Sequence, residues 1–401
     1  MSSMSVRDVL AVLVAVVDVL ISSVSITEGA GGLMLVQRVI IPGAEVESWT
    51  VLGDDDVPVA SVEAYLAFLS AIERSPNTVK AYAHDLKDFF AFLAQRGLDW
   101  RRVTLEDVGG FVEWLRMPPA GRAGQVAVLP VTAPQVGAGT INRKLSAVSS
   151  FYQHQARHGV ELGDLLVKWA APGARSSWKP FLHHISKGRP QRRRAIALEA
   201  PVKLPRVLTV GEVQSILDAC TRLRDRFLFA VLFDTGMRIG EVLGLRHDDL
   251  SAAEREVRVV ARLNENGARA KTGRPRTVPV SAELLRLYAD YLHLEYGDLD
   301  SDYVFVNLWG GRVGHALSYR SVYDLVGRLR RRTGVDFDPH WFRHSAATRM
   351  LRDSVPLEVV SSLLGHASVT TTMDVYGHLT AEDARMVLEK AGWFAGTGVT
   401  L

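Results

Sequence analysis

The stretch from Pro339 to Leu379 constrains this chain more than any other. It runs Pro339-His340-Trp341-Phe342-Arg343-His344, then an apolar-periodic segment, then Leu364-Gly365-His366, then Thr370-Thr371-Thr372-Met373-Asp374-Val375-Tyr376-Gly377-His378-Leu379. Pro356 suits the first turn of a helix whose Leu357, Val360, Leu363 and Leu364 share a face. Gly365 suits the left-handed residue that ends it, so His366 emerges at a turn. Upstream, Ser345 to Leu351 reads as a second short helix, which sets His340 and Arg343 near its start. Free N–H groups and the helix dipole favour anions there. The segment thus offers cationic donors for a phosphate and a hydroxyl that could attack it. A lone histidine or tyrosine in such a place is more often structural, and it is the combination that points to chemistry.

His340-x-x-Arg343, Leu364-Gly365-His366 and Tyr376 resemble the carboxy-terminal signature of the tyrosine recombinases, or phage-integrase family. The resemblance implies a further arginine roughly a hundred residues upstream in a Thr-Gly-x-Arg-x-x-Glu setting. Thr235-Gly236-Met237-Arg238-Ile239-Gly240-Glu241 supplies it. It also implies a lysine in a β-hairpin between the two arginines. Lys271-Thr272-Gly273 fits, followed by Arg276-Thr277-Val278-Pro279-Val280, although Arg269, Arg274 and Arg276 compete for the same turn. Trp341-Phe342 is bulkier than the family's usual filling.

Net charge is only +3, but its distribution is uneven. Residues 1–58 hold Arg7 and Arg38 against eight acids, whereas residues 168–206 hold ten lysines and arginines against Glu199 alone. A concentrated basic stretch beside a candidate phosphate site is a nucleic-acid footprint, set against the plainer reading of a solvated charge run. One cysteine, Cys220, excludes an internal disulfide framework and suits a reducing cytoplasm. It sits in a leucine-rich helix pattern as inert core.

Residues 9–24 are apolar but interrupted by Asp18, and about sixteen residues is short for a membrane span. No clean cleavage site follows, so the segment reads as an over-extended start with Met34 as the true one. Residues 1–58 are expected to be a leader without stable structure. Residues 59–170 read as a helical module. Val62, Tyr65, Leu66 and Leu69 share one face, and Val79, Tyr82, Leu86, Phe89, Phe90 and Leu93 share another after the Ser75-Pro76 cap. Thr104 with Asp107 opens a helix through Phe111 and Leu115. Pro118 to Gly139 reads as a long loop, and Ile141, Leu145, Val148, Phe151 and Tyr152 mark a last helix. By resemblance this module is the core-binding domain that grips DNA. Lys80, Lys87, Arg143, Lys144 and His154 lie opposite its apolar positions. Of these, Lys80, Lys87, Arg143 and Lys144 are its candidate DNA contacts.

Residues 171–206, with Arg192, Arg193 and Arg194, read as a basic linker lying along a duplex, without packed structure. Residues 207–401 form the catalytic domain. Thr209 and Glu212 make a capping box, and short strands are expected at 257–260, 277–280 and 303–306. Helices are expected around 284–294 and 322–329, with a last helix after Thr380. The expected fold is therefore mainly α with a small antiparallel β-sheet, arranged as a two-domain DNA clamp.

A phosphodiester's transition state gathers negative charge on its non-bridging oxygens, and arginine's planar fork matches two of them. Arg238 and Arg343 are the candidate clamp. His340 and His366 add hydrogen bonds, and His340 could accept the proton of Tyr376, whose unperturbed pKa of about 10 demands such neighbours. Lys271 is the candidate general acid for the leaving 5′-oxygen. Glu241 and His344 stand behind them, in supporting or plainly structural roles. The resemblance implies a 3′-phosphotyrosyl intermediate and a Holliday junction, resealed without ATP, cofactor or metal, by a homotetramer on paired sites of double-stranded DNA. The basic linker and the 118–139 insertion are more like transposon-borne members. A monomeric type IB topoisomerase and a decayed site-specific DNA-binding protein are the alternative readings. Cytoplasmic location without a membrane partner follows from the composition.

Overall fold

The computed structural model describes residues 34–40, 47–118, 122, 136–160, 167–170, 191–200, 206–270 and 275–365; for 167–170 and 191–194 this is the backbone alone. The fold is mainly helical with small antiparallel sheets, and it divides into two compact units, 1–201 and 202–401. No described helix is long and apolar enough to cross a membrane.

The first unit opens with an antiparallel hairpin, β1 (Leu35–Ile40) with β2 (Glu47–Leu52), pairing Leu35 with Leu52 through Ile40 with Glu47. Among the described residues the helices that follow are α1 (Ala60–Ala71), α2 (Pro76–Arg96), α3 (Leu105–Arg116) and α4 (Ala138–Ala156). Their start signals are those expected. Ser75 Oγ accepts from the Thr78 amide ahead of Pro76, and Thr104 with Asp107 closes a reciprocal capping box. The apolar faces converge on one core of Val62, Tyr65, Leu66, Leu86, Phe89, Phe111, Ile141 and Phe151. Edge-on ring contacts between Phe89 and Phe111 and between Tyr65 and Phe151 fill its centre.

Two expectations fail here. The leader is ordered over its described part: Val51 is fully buried in the helical core, and Leu52 bridges Pro58. The hairpin exists because α1 and α2 cover it, with Ser48 Oγ bonded to Ser70 Oγ and Lys80 lying over the Trp49 ring. The linker is also partly packed. β3 (Val167–Ala170) pairs antiparallel with β4 (Gln191–Arg194), Lys168 opposite Arg193 and Trp169 opposite Arg192. Just beyond, Ile196 and Leu198 lie on the helical core, and Asn142 holds Leu198 by both backbone groups, at 2.8 and 2.9 Å.

The second unit is built on α6 (Leu223–Thr235), which follows α5 (Val210–Ala219) and its Thr209–Glu212 capping box. Phe227, Leu228, Phe229, Val231 and Leu232 are all buried, so α6 is apolar around most of its circumference and must run through the core. A one-turn α7 (Ile239–Val242) leads to a three-stranded sheet in the order β5 (Leu250–Ser251), β6 (Glu256–Val259), β7 (Arg276–Pro279). Among the described residues, helices α8 (Ala282–Tyr291), α9 (Tyr319–Thr333), α10 (Pro339–Arg352) and α11 (Leu357–Leu364) follow. Residues 303–306 do not form the expected strand. They make single bridges, Arg246 to Tyr303 and Val306 to Ala316, because their side chains are needed inside the core. The 345–351 helix is longer than expected and starts at Pro339, after an Asp338 cap.

Candidate active site

The site assembles where α6, α7, α10 and α11 meet. Thr235 ends α6 by donating to the Val231 carbonyl at 2.6 Å, and Gly236 then takes φ +64°. A Cβ on Gly236 would come within 2.8 Å of Leu364 Cδ2 and 3.2 Å of Ala346 Cβ, so only glycine lets α10 and α11 close on this turn. The turn delivers Arg238 as the residue capping α7. From α10, Phe342 stacks on Phe229 with ring centroids 5.4 Å apart. The bulky Phe342 thereby fixes the helix that carries Arg343.

Arg238, Arg276 and Arg343 converge on the carboxy-terminal end of α11. Arg276 Nε donates to the Leu363 carbonyl at 2.7 Å, Arg343 Nη2 to the Leu364 carbonyl at 2.7 Å, and Arg238 Nη2 to the Gly365 carbonyl at 3.4 Å. Three successive main-chain oxygens thus take three different guanidinium groups. The negative end of the helix dipole makes that a favourable place for cations. Arg343 Nη1 also donates to the Gly236 carbonyl at 2.9 Å, joining the turn after α6 to the end of α11.

Glu241 ties the arginines together from below. Its side chain is fully buried; it accepts from the Arg238 amide and Nη1, both at 2.9 Å, and from Arg276 Nη1 and Nη2 at 3.1 and 2.6 Å. Burial pushes this carboxyl up, but hydrogen bonds and charge from Arg276, with Arg238, overcome it and hold the group below its usual range. Glu241 is therefore an ionised carboxylate.

The two expected clamp arginines differ in access. Arg343 is 1% exposed, and its described bonds run to backbone carbonyls. Arg238 lines an open cavity of about 300 Å³ together with His340, Arg269, Tyr319 and Tyr323. His340 stands exposed in the first turn of α10, its amide bonded to Asp338 Oδ1 at 2.8 Å. His344 lies one turn on, edge-on to the His340 ring at 4.5 Å between centroids. Burial, with His340 and Arg343 nearby, pushes His344 down to about 4, so it is neutral at physiological pH. Sequence reasoning passed over Tyr319 and Tyr323. Gly240 was the available signal for Tyr319, because a Cβ there would collide with the Tyr319 hydroxyl.

Lys271, His366 and Tyr376 lie outside the described residues, as do the side chains of Arg192, Arg193 and Arg194. In the helical unit, Lys80 and Arg143 are exposed and Lys87 is half-buried beside Asp88. Lys144 is buried between Asp85 and Asp88, at 3.2 and 2.7 Å, and Arg143 also pairs with Asp85. Lys144 is therefore part of an internal ion cluster, not a surface contact. His154 is buried against Tyr65 and Phe68, and burial lowers its pKa. Among the described residues, no group of three metal-ligating side chains could hold a metal ion.

A helical unit followed by a helical unit with a small sheet, its arginines gathered at one helix end, is the arrangement of a phosphate-binding enzyme, and the relatives make it a DNA strand transferase. The chain belongs to the phage integrase family of tyrosine recombinases: residues 206–383 match the phage integrase family and residues 62–159 the phage integrase N-terminal SAM-like domain. It is 36% identical over 359 residues to transposase A from transposon Tn554 of Staphylococcus aureus (strain N315), spanning 89% of this chain and 98% of the relative. Tyrosine recombinase XerD of Mycobacterium tuberculosis (strain ATCC 25618 / H37Rv) is 31% identical over 345 residues, 81% of this chain and 95% of that one. Among solved structures, the Tn1549 transposon integrase in complex with circular intermediate DNA superposes with a TM-score of 0.56 at 17% identity. That match covers 82% of this chain and 98% of the integrase. A lambda integrase dimer bound to a COC′ core site gives 0.52 at 16% identity, covering 79% and 76%. Both likenesses concern the fold.

Proposed function

We propose that this recombinase cuts and rejoins DNA with Tyr376 as nucleophile, in the setting of a transposon. The Tyr376 oxygen attacks a backbone phosphorus, the bond to the 5′-oxygen breaks, and Lys271 gives that oxygen a proton. The strand is left as a 3′-phosphotyrosine, which an incoming 5′-hydroxyl attacks in reverse. Arg238 meets the phosphate from the cavity, where its cation complements the charge gathering on the non-bridging oxygens. Arg343 adds its charge from beneath, and reaches the phosphate once the Leu364 carbonyl gives way to the stronger anionic acceptor. His340 and His366 flank the same phosphate, and His340 takes the tyrosine proton. The neutral state of His344 keeps a second charge from building up against His340.

The convergence of Arg238 and Arg343 on adjacent carbonyls at the end of α11 carries this reading, since the two lie 105 residues apart in the chain yet reach neighbouring atoms. The long match to a transposase supports the transposon setting. Exchange between paired sites implies a homotetramer on double-stranded DNA, working in the cytoplasm. Lys80, Lys87, Arg143 and the basic strand around Arg192, Arg193 and Arg194 are the proposed contacts to flanking phosphates. Binding should then fall steeply with salt.

The test uses a duplex site selected from a random pool with the full chain, then nicked beside the scissile phosphate so that the cut strand diffuses away. Wild type should accumulate a covalent protein–DNA adduct and Tyr376→Phe none. An adduct of equal yield in both would sink the assignment. Relaxation of supercoils by a monomer, without exchange between two sites, would point to a topoisomerase instead.

A further inference from the structure

We infer that Arg276 is a positioning residue for the phosphate-facing Arg238, holding it in place through Glu241 and through the end of α11. The inference rests on the reading of Arg238 given above. Arg276 stands at the first position of β7, and its side chain is only 9% exposed. Its described bonds turn it towards Glu241 and the end of α11. The guanidinium makes three bonds in one plane: two to the carboxylate of Glu241 and one, from Nε, to the Leu363 carbonyl.

Those partners are the ones that place Arg238. Glu241 binds Arg238 by amide and guanidinium, and the Gly365 carbonyl that receives Arg238 Nη2 lies two residues beyond Leu363. Without Arg276, Glu241 would be a buried carboxylate with one cation where it now has two. It would draw Arg238 inward, away from the cavity. The last turn of α11 would also lose the bond that fixes the Leu363 carbonyl.

Gly365 shows how closely the fit is made. A Cβ there would lie 2.8 Å from Arg276 Nη1, 3.0 Å from Cζ and 3.2 Å from Nε, so the guanidinium plane packs directly on the glycine. Lysine cannot substitute, because one ammonium on a flexible stem cannot span both carboxylate oxygens and a carbonyl in a fixed plane.

The test compares single-turnover cleavage of the selected nicked duplex by wild type, Arg276→Met and Arg276→Lys at saturating protein. Each is run on the ordinary phosphodiester and on a methylphosphonate at the scissile position. Replacing one charged oxygen by methyl removes the demand for a well-placed cation. Both variants should cut the phosphodiester at least thirtyfold more slowly, with DNA affinity within threefold of wild type. The gap should close to under fivefold on the methylphosphonate. A deficit equal on both linkages, or loss of binding in step with rate, would mean a merely structural role and overturn the inference. If Arg276→Met does not fold, Arg276→Lys decides, since it keeps the charge that Glu241 needs; a wild-type rate in it overturns the inference. Absence of adduct in wild type itself would instead strike the reading of the site.

Discussion

Replacing Lys144 by methionine separates a structural lysine from a DNA contact. Lys144 is 8% exposed and lies between Asp85, which is fully buried, and Asp88. Removing one partner of a buried pair costs roughly 3–5 kcal/mol. The remaining bond from Arg143 to Asp85 sets the loss near the lower end. A second limit comes from protonation. Burial already raises the Asp85 carboxyl against the pull of Lys144 and Arg143. Neutralising an ordinary aspartate, pKa about 3.9, costs about 1.36 kcal/mol per pH unit, hence about 4 kcal/mol at pH 7 and about 1.5 at pH 5. Lys144→Met should therefore destabilise the helical unit by about 3 kcal/mol at pH 7. For a domain of about 100 residues each kcal/mol is worth about 4–8 °C, so Tm should fall by about 12–24 °C. At pH 5 the loss should be half that or less. Calorimetry on the full chain at the two pH values reads this directly. A phosphate contact would behave oppositely, leaving Tm unchanged while the salt dependence of DNA binding lost about one unit of slope. That outcome would refute the reasoning.

Other outcomes follow from the same geometry. Gly365→Ala, at φ +63°, meets a left-handed strain of about 1–2 kcal/mol besides the collision with Arg276. The Tm of the catalytic unit should drop by at least about 2–8 °C, and a change under 1 °C would contradict the packing. The depressed His344 keeps the folded form neutral while the unfolded chain takes up a proton below pH 6.5, so its contribution to stability is complete above that value. It is lost as pH falls from 6.5 towards 4, and the difference in urea midpoint between wild type and His344→Gln should be flat above pH 6.5 and change below it. Asn142→Ala removes both bonds to Leu198, each worth about 0.5–1.5 kcal/mol. Hydrogen exchange of the Leu198 amide should quicken at least fivefold, and an unaltered rate would show that the strand-flanking segment is held some other way.

The helices of the first unit were legible because their apolar positions repeat at helical spacing and caps mark their starts. The buried residues of α1, namely Val62, Tyr65, Leu66 and Leu69, are the four that the pattern picks out. The hairpin β1–β2 was not legible. Ser48 and Thr50 are polar yet buried, so the alternation of a half-covered strand is absent, and the acids at 54–56 dominate the reading. Lys144 misled for a different reason. Its partner Asp85 lies on another helix, 59 residues earlier, and a side chain opposite an apolar stripe looks solvated until a second helix covers it. In the catalytic unit, Arg238, Glu241 and Arg343 were marked by their motifs. The role of Arg276 depends on contacts with Glu241 and Leu363, 35 and 87 residues away, and on its own it was one of four basic residues near a turn.

The grip on α11 is made on carbonyl oxygens, and a carbonyl is the same in every residue. Leu363 could become isoleucine, or Leu364 methionine, without altering what Arg276 and Arg343 hold, so long as the helix still ends where it does. Drift among apolar side chains of similar volume is tolerated across this turn, and strict identity is demanded at its glycine. A library randomised at 363–365 and selected for strand transfer should return several letters at half-buried 363, only large apolar ones at fully buried 364, and glycine at 365.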